Sequence, residues 1–371
     1  MSALPAPADK YMARALELAL RGEGRTAPNP PVGAVLVRDG LVVGEGFHPA
    51  AGEPHAEIFA LRAAGELARG AELFVTLEPC CHQGRTGPCC EALIAAGVRR
   101  VCYGTVDPNP RVAGQGLARL QAAGVEVIPG PMVEACRRLI APFAKLLLTG
   151  TPYLILKAAM TLDGQLATAG GESQWISCEA SRMLGHQLRN RVDAILTGAG
   201  TVLADDPQLT VRLSDGRNPA RVVLDSRLRT PLTARVFADV PGRRLLMTGD
   251  DVAGERLQPY VASGIEVIRI PRLGDHLDLS AAMHELGRRN LMCLLIEGGG
   301  ALNGALLRAG LVDRLMLFIA PLLFGGGAGI PLFSGNGCRR LDEAIRLRDL
   351  QISRSGADLL VEGEVAACSP D

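Results

Sequence analysis

The chain has 371 residues, with Lys+Arg 39 against Asp+Glu 39, a hydrophobic fraction of 48%, an aromatic fraction of 4% and Gly 44. A length beyond the roughly 100 to 200 residues of one domain points to two domains. Zero net charge excludes the overall positive field of a protein held on nucleic acid or an anionic membrane, and the few aromatics argue against a base-stacking platform.

The opening MSALPAPADKYMARALELALRG reads as a short lead and an amphipathic helix without an export signal. No apolar stretch approaches the roughly 20 residues that span a bilayer. The expected class is a globular cytoplasmic protein, so its cysteines (Cys 10) read as metal ligands and core thiols and not as a disulfide scaffold. Residues 32–47, VGAVLVRDGLVVGEGF, hold two β-rich runs around Asp39-Gly40, a hairpin signal. From Pro54 helix and strand alternate: HAEIFALRAAGEL, ELFVTLEP, CCEALIAAG, RRVCYGTVD, GQGLARLQAAG, VEVIPG. That is α/β layering with crossover connections. A last helix over 133–148 ends at Thr149-Gly150-Thr151-Pro152, where Gly and Pro punctuate the chain. The expected domains are therefore 1–148 and 152–371.

The second half restarts with YLILKAAM and alternates strands (AILTGAG, RVVLDS, RRLLMT, IEVIRI, LMCLLIEGG, RLMLFIAP, DLLVEGEV) with helices. No internal repeat links the halves, and their motifs differ.

His55-Ala56-Glu57 opens a helix straight after Pro54, with its first turn expected to point outward. Glu78-Pro79-Cys80 ends an apolar strand, and Pro88-Cys89 opens the next helix. A nitrogen and two sulfurs then converge from three element ends, the three-ligand set of a catalytic zinc with one open position. Zinc there would acidify a water, and Glu57 would carry a proton to departing ammonia. Helix N-termini beside the thiolates would help hold their charge. An H-x-E followed by Pro-Cys is a zinc-deaminase signature, although here eight residues separate Cys80 from Cys89 where two are usual. Cys81 and Cys90 share that spacing and are rival ligands. His82 would be the fourth ligand if the zinc were purely structural.

In the second half, Ile296-Glu297-Gly298-Gly299-Gly300 closes a strand and opens the helix ALNGALL. Small residues at a helix N-terminus let backbone amides meet phosphate. The run is neither G-x-G-x-x-G nor a P-loop, so it makes no Rossmann signature.

The runs TAPNPPVGAVLV, GFH, HAE, EPCCHQGRTGPC and VDPNP, followed by LKAAMTLDGQLA, GESQWIS, AILTGAGTVLADDPQLTVR, RVVLDS and IEGGGALNGALL, resemble the bifunctional riboflavin-biosynthesis deaminase/reductase family over essentially the whole chain. The eight-residue gap between cysteines is that family's pattern. The resemblance implies an N-terminal cytidine-deaminase-like three-layer α/β/α domain followed by a dihydrofolate-reductase-like α/β domain. It implies zinc-dependent deamination of a diaminopyrimidinone carrying a phosphoribosylamino group, then NADPH-dependent reduction of the ribosyl group to ribityl. By motif, Asn29, His48, His82, Arg85, Asp107 and Asn109 line the pyrimidine site. Ala159, Trp175, Thr201, Asp205, Gly299 and Gly300 would contact the dinucleotide, and Ser173, Arg189, Leu209, Arg212 and Glu297 the sugar phosphate. Lys157 and Asp163 would shape that site.

Several of these residues have ordinary readings too. Asn beside Pro is common turn chemistry, Arg85 and Arg212 could be solvated, Trp175 could fill core, and Arg189 could sit in a helix salt bridge. Gly87 stands where the family more often has Pro, and Thr161 where Ser is frequent. The partners expected are a phosphorylated pyrimidine metabolite, no nucleic acid and no membrane, with a homo-oligomer left open. A tRNA-type nucleic-acid deaminase with an accessory domain is the main rival, and it predicts a basic, aromatic-lined surface. A zinc-stabilised scaffold without turnover is the other.

Overall fold

The computed structural model describes residues 8–81 and 87–366. The chain separates into two compact units, Met1–Thr151 and Pro152–Asp371. Among the described residues no helix is long and apolar enough to cross a membrane.

In the first unit the order is α1 (Ala8–Ala19), β1 (Gly33–Arg38), β2 (Leu41–Phe47), α2 (Ala56–Ala64), β3 (Glu72–Val75), α3 (Cys89–Ala95), β4 (Arg100–Tyr103), α4 (Gln115–Ala122), β5 (Glu126–Pro129) and α5 (Val133–Thr149). Asp39 and Gly40 have positive φ, 51° and 77°, as a two-residue turn between right-twisted strands requires. The sheet order is β2-β1-β3-β4-β5, antiparallel on either side of β1 and parallel from β3 to β5.

Alternation along the strands sorts the core into two faces. Ala34, Leu36, Leu73, Val75 and Val101 pack with Ala56 and Ala60 of α2, Leu93 of α3 and Leu120 of α4. Val35, Val37, Phe74, Cys102 and Ile128 pack with Tyr11, Met12 and Ala15 of α1 and Cys136 of α5. The result is three layers, α/β/α, in which each large buried aliphatic side chain contributes about 1.5–3 kcal/mol. At Gly46 a Cβ would meet the Ala56 carbonyl at 2.2 Å, so only glycine lets the start of α2 lie directly on β2.

In the second unit the order begins β6 (Tyr153–Thr161), β7 (Gln165–Ala167), α6 (Glu179–Arg191), β8 (Ala194–Gly198), α7 (Ala199–Asp205), β9 (Ala220–Leu224), β10 (Arg244–Gly249), α8 (Gly254–Ala262) and β11 (Glu266–Ile270). It continues β12 (Arg272–Leu273), β13 (His276–Leu277), α9 (Leu279–Arg288), β14 (Cys293–Ile296), α10 (Gly300–Arg308), β15 (Arg314–Ala320), β16 (Ile330–Pro331), β17 (Leu347–Ser355) and β18 (Asp358–Val365). Nine strands form one sheet, β11-β10-β9-β8-β14-β6-β15-β18-β17, parallel as far as β15 and antiparallel beyond it. One face packs against α9 and α10 through Leu154, Leu196, Leu294, Met283 and Leu306. The other packs against α7 and α8 through Ile195, Val223, Leu295, Val202 and Leu257.

Four local expectations need correction. The strand read as ELFVTLEP stops at Val75, because the Glu78 amide turns to the Thr105 carbonyl at 2.9 Å and Pro79 has no N–H; Cys80 therefore sits on a loop. The first turn of α2 does not all face outward, since Glu57 is only 3% exposed. The strand read as AILTGAG ends at Gly198, and Ala199 and Gly200 already belong to α7. Strand β17 was not anticipated: it is an edge strand whose residues from Arg348 to Arg354 are exposed, so it shows no alternating buried face.

Candidate active sites

His55 caps the start of α2 in an extended conformation, and Cys89 is the first residue of α3. Its imidazole Nδ1 lies 3.5 Å from the Cys80 sulfur and 3.3 Å from the Cys89 sulfur. The three ligand atoms all fall within 4.8 Å of one another. The Cys89 amide donates to the Cys80 sulfur at 3.4 Å, so the helix start helps hold charge there. The Cys89 side chain donating to Cys80 holds Cys80 well below the ordinary thiol range, and that same contact, with burial, pushes Cys89 up. Two thiols this close cannot both ionise without a cation between them, so the donor set fits a divalent metal that prefers nitrogen and sulfur, as zinc does.

The rival thiols are placed otherwise. Cys90 is buried and donates to the Pro79 and Gly116 carbonyls at 3.3 and 3.4 Å, and burial pushes it up to about 12. Cys81 points to the Gln115 side chain at 3.9 Å. Among the described residues neither joins the cluster. Glu57, two residues past His55, is buried in the first turn of α2, and desolvation pushes its carboxyl up to about 7.

Around this cluster, Asn29 and His48 form a pair that the motifs did not foretell. The Asn29 amide donates to His48 Nε2 at 3.1 Å, and His48 Nδ1 donates to the Pro54 carbonyl at 3.1 Å. That pattern belongs to a neutral imidazole, and burial lowers the His48 pKa in the same sense. The His48 ring meets the His55 ring edge to face, with centroids 5.3 Å apart. Asp107 accepts from the Asn109 amide at 2.8 Å and Asn109 from the Arg111 amide at 3.1 Å, so the DPNP turn braces itself. His82 and Arg85 lie outside the described residues.

In the second unit, candidate residues gather beyond the carboxyl ends of the neighbouring parallel strands β8 and β14. Crevices of open α/β sheets lie at such ends. Thr201 Oγ1 accepts from the Gly299 amide at 2.9 Å, tying α7 to the Gly-rich turn. Gly299 caps α10 without a side-chain hydrogen bond, leaving the first amides of a nine-residue helix for an anion. Ser173 reaches Asp205 at 3.4 Å. Trp175 is 64% exposed, not core filler, and the Arg182 guanidinium stands over its ring at 4.8 Å.

Arg189 makes two hydrogen bonds to Glu297, 2.7 and 2.8 Å, and a third to the Thr210 carbonyl at 2.9 Å. Arg189 thus joins α6 to the end of β14 and to the segment holding Leu209, which is buried with φ 55°. Burial alone would raise the Glu297 carboxyl, but the Arg189 and Lys157 charges outweigh it and hold Glu297 at about 2. Arg212 is exposed, and its amide donates to His186 at 3.3 Å. Ala159, on β6, lies opposite Phe318 of the neighbouring strand β15. Asp163 accepts from Thr161, Phe324 and Gly325, pinning the turn after β6.

One buried acid escaped the sequence reading. Glu78 is 5% exposed and accepts from four backbone amides. The available signal was a charged residue at the end of an apolar run, directly before Pro-Cys.

Two family models match: the RibD C-terminal domain over residues 152–361, and the cytidine and deoxycytidylate deaminase zinc-binding region over residues 6–105. The riboflavin biosynthesis protein RibD of Escherichia coli (strain K12) is 46% identical over 362 residues, covering 94% of this chain and 97% of that protein. RibD of Bacillus amyloliquefaciens is 42% identical over 352 residues, covering 94% of each. Among solved structures, RibD of Acinetobacter baumannii (form 1) superposes with a TM-score of 0.85 at 38% identity, covering 97% of this chain and 99% of that one. The Thermotoga maritima diaminohydroxyphosphoribosylaminopyrimidine deaminase/5-amino-6-(5-phosphoribosylamino)uracil reductase superposes with a TM-score of 0.84 at 36% identity, with the same coverage. The chain belongs to the RibD family of riboflavin-biosynthesis proteins, bifunctional enzymes with a zinc-dependent deaminase domain and an NADPH-dependent reductase domain.

Proposed function

We propose that the first domain hydrolytically deaminates 2,5-diamino-6-(5-phosphoribosylamino)pyrimidin-4-one, and that the second reduces the ribosyl chain of the resulting 5-amino-6-(5-phosphoribosylamino)uracil with NADPH. The observation that carries this reading is the convergence of His55, Cys80 and Cys89 within 4.8 Å, beside the buried carboxyl of Glu57.

In this reading His55 Nδ1 and the sulfurs of Cys80 and Cys89 hold zinc. When bound, the metal supplies the Lewis acidity that makes water a nucleophile at neutral pH. The Glu57 carboxyl, buried in the first turn of α2 two residues from His55, would take the proton from water and return it to the departing amine. His48, neutral and oriented by Asn29 and Pro54, presents its ring to the pyrimidine beside the metal ligands, while Asp107 and Asn109 hold the ring's polar edge. His82 and Arg85 belong to the same site by motif, Arg85 as a phosphate ligand.

In the reductase, the start of α10 takes a dinucleotide phosphate on the amides from Gly300 onward, with Gly299 held in place by its bond to Thr201 and with Ala159, Trp175 and Asp205 around it. NADPH, when bound, supplies the hydride. Ser173, Leu209 and Arg212 hold the sugar phosphate, with Arg189 and Glu297 set as one rigid pair beside it. The balance of 39 basic and 39 acidic residues supports a small metabolite over a nucleic acid. A reducing, cytoplasmic setting suits two thiols that must stay available to a metal.

The test is one assay following ammonia release and NADPH oxidation with the phosphoribosylated diaminopyrimidine. Both signals are expected, in that order. Absence of ammonia release from zinc-loaded protein would remove the deaminase assignment. Absence of NADPH oxidation with the deaminated product would remove the reductase assignment.

A further inference from the structure

The carboxylate of Glu78 gathers backbone amides from a stretch of chain 29 to 39 residues further on. Its Oε2 accepts from Asp107 at 3.1 Å and from Gly114 at 2.9 Å; its Oε1 accepts from Gly116 at 2.9 Å and from Leu117 at 3.4 Å. The first of these amides belongs to the DPNP turn, and the last three bracket the start of α4. Glu78 itself lies two residues before Cys80, so one side chain spans the metal-ligand loop and the turn carrying Asp107 and Asn109.

Neighbouring contacts make the junction tight. The Glu78 amide donates to the Thr105 carbonyl at 2.9 Å. At Gly116 a Cβ would lie 2.0 Å from the Pro79 carbonyl and 3.2 Å from Glu78 Oε1, so only glycine allows this approach. A plain helix cap would serve α4 alone. Here one of the four bonds goes outside the helix, to the residue that opens the proposed pyrimidine-contacting turn.

We infer that Glu78 is a positioning residue of the deaminase: it fixes the Asp107–Asn109 turn at a set distance from Cys80, and so sets where the pyrimidine sits relative to the zinc. This rests on the deaminase reading above. Among the described residues Glu78 is not part of the His55–Cys80–Cys89 cluster, and both its oxygens are taken by backbone amides. Its effect passes through four backbone amides, which a carboxylate satisfies together because both oxygens accept. A glutamine keeps the shape but turns an N–H₂ donor toward two of those amides, and the turn must then move to escape donor facing donor.

The experiment compares wild type with Glu78→Gln and Glu78→Asp in the full chain, measuring kcat and KM for ammonia release, zinc per chain, and amide exchange over residues 107–117. Retained amide protection of the strands β1, β3 and β4 in the same exchange measurement reports that the first unit, which holds Glu78, is folded. In Glu78→Gln, KM is expected to rise about tenfold or more while kcat changes by less than about threefold. Zinc should be retained, and exchange should quicken at Asp107, Gly114 and Gly116 but not in α2. Glu78→Asp keeps two acceptor oxygens on a shorter stem and should recover part of the KM; if Glu78→Gln does not fold, smaller KM and exchange shifts of the same sign in Glu78→Asp decide. An unchanged KM in a folded variant would overturn the inference and leave the deaminase reading standing. So would loss of zinc with KM unaltered, which would make Glu78 a support of the metal loop alone. A zinc-loaded wild type that releases no ammonia would overturn both.

Discussion

Arg189 and Glu297, 108 residues apart, face each other through two parallel hydrogen bonds of 2.7 and 2.8 Å, with side chains only 17% and 13% exposed. Replacing Glu297 by Gln leaves the Arg189 guanidinium and the Lys157 side chain, both within electrostatic reach of that carboxylate, without their shared counter-charge. A loss of about 3 kcal/mol from the reductase unit is expected, read as an earlier thermal transition, together with loss of NADPH oxidation.

The same carboxyl sets an acid limit. Its folded value, about 2, lies below the ordinary 4.5, so ionised Glu297 stabilises the fold fully above about pH 4.5 and progressively less as pH falls towards 2. In Glu297→Gln that part of the acid sensitivity should vanish. Denaturation profiles between pH 5 and 2 for the two proteins, run at matched ionic strength, check this; identical slopes would contradict it.

Glu57→Gln should keep zinc and fold while ammonia release falls by about 100-fold or more. NADPH oxidation with the deaminated substrate should be unaffected. Metal content measured beside both activities distinguishes this from a scaffold role, in which the substitution would change little.

Exchange of single cysteines tests which sulfurs bind. Cys80→Ser and Cys89→Ser are expected to lose most bound zinc and ammonia release, whereas Cys81→Ser should keep both. Cys90→Ala should also keep zinc, at a stability cost of about 1 kcal/mol for its lost contacts to Pro79 and Gly116. Strong chelation of the wild type should abolish deamination and spare reduction.

Thr201→Val removes the acceptor of the Gly299 amide. With that N–H unpaired, the Gly-rich turn should loosen and KM for NADPH rise about tenfold. Titration of NADPH fluorescence on binding measures it directly, and an unchanged dissociation constant would show that the turn is held by other contacts.

Much of this was readable beforehand, for identifiable reasons. The Asp39-Gly40 hairpin and the alternation of short apolar runs with helices follow from local propensity and period, and they led to a layered α/β reading of each half. The edge strand β17 stayed hidden because exposed Arg348, Asp349 and Gln351 carry no burial pattern. The end of β3 was misjudged because the chain leaves the sheet for Thr105, a partner 27 residues on that no local rule names.

What the amino-acid order alone determined was the inventory of chemistry: one His and two pairs of adjacent cysteines beside a glutamate, and a glycine run between strand and helix. Which sulfur of each pair turns toward His55 was decided only on folding, because Cys90 enters the core against Pro79 and Gly116 while Cys89, one residue earlier on the same helix, faces the imidazole. The same holds for the pairing of Asn29 with His48 and of Arg189 with Glu297, and for the four amides collected by Glu78. Each joins segments distant in sequence, and such bonds depend on the direction in which a packed sheet and its helices aim their side chains, which spacing along a chain does not encode.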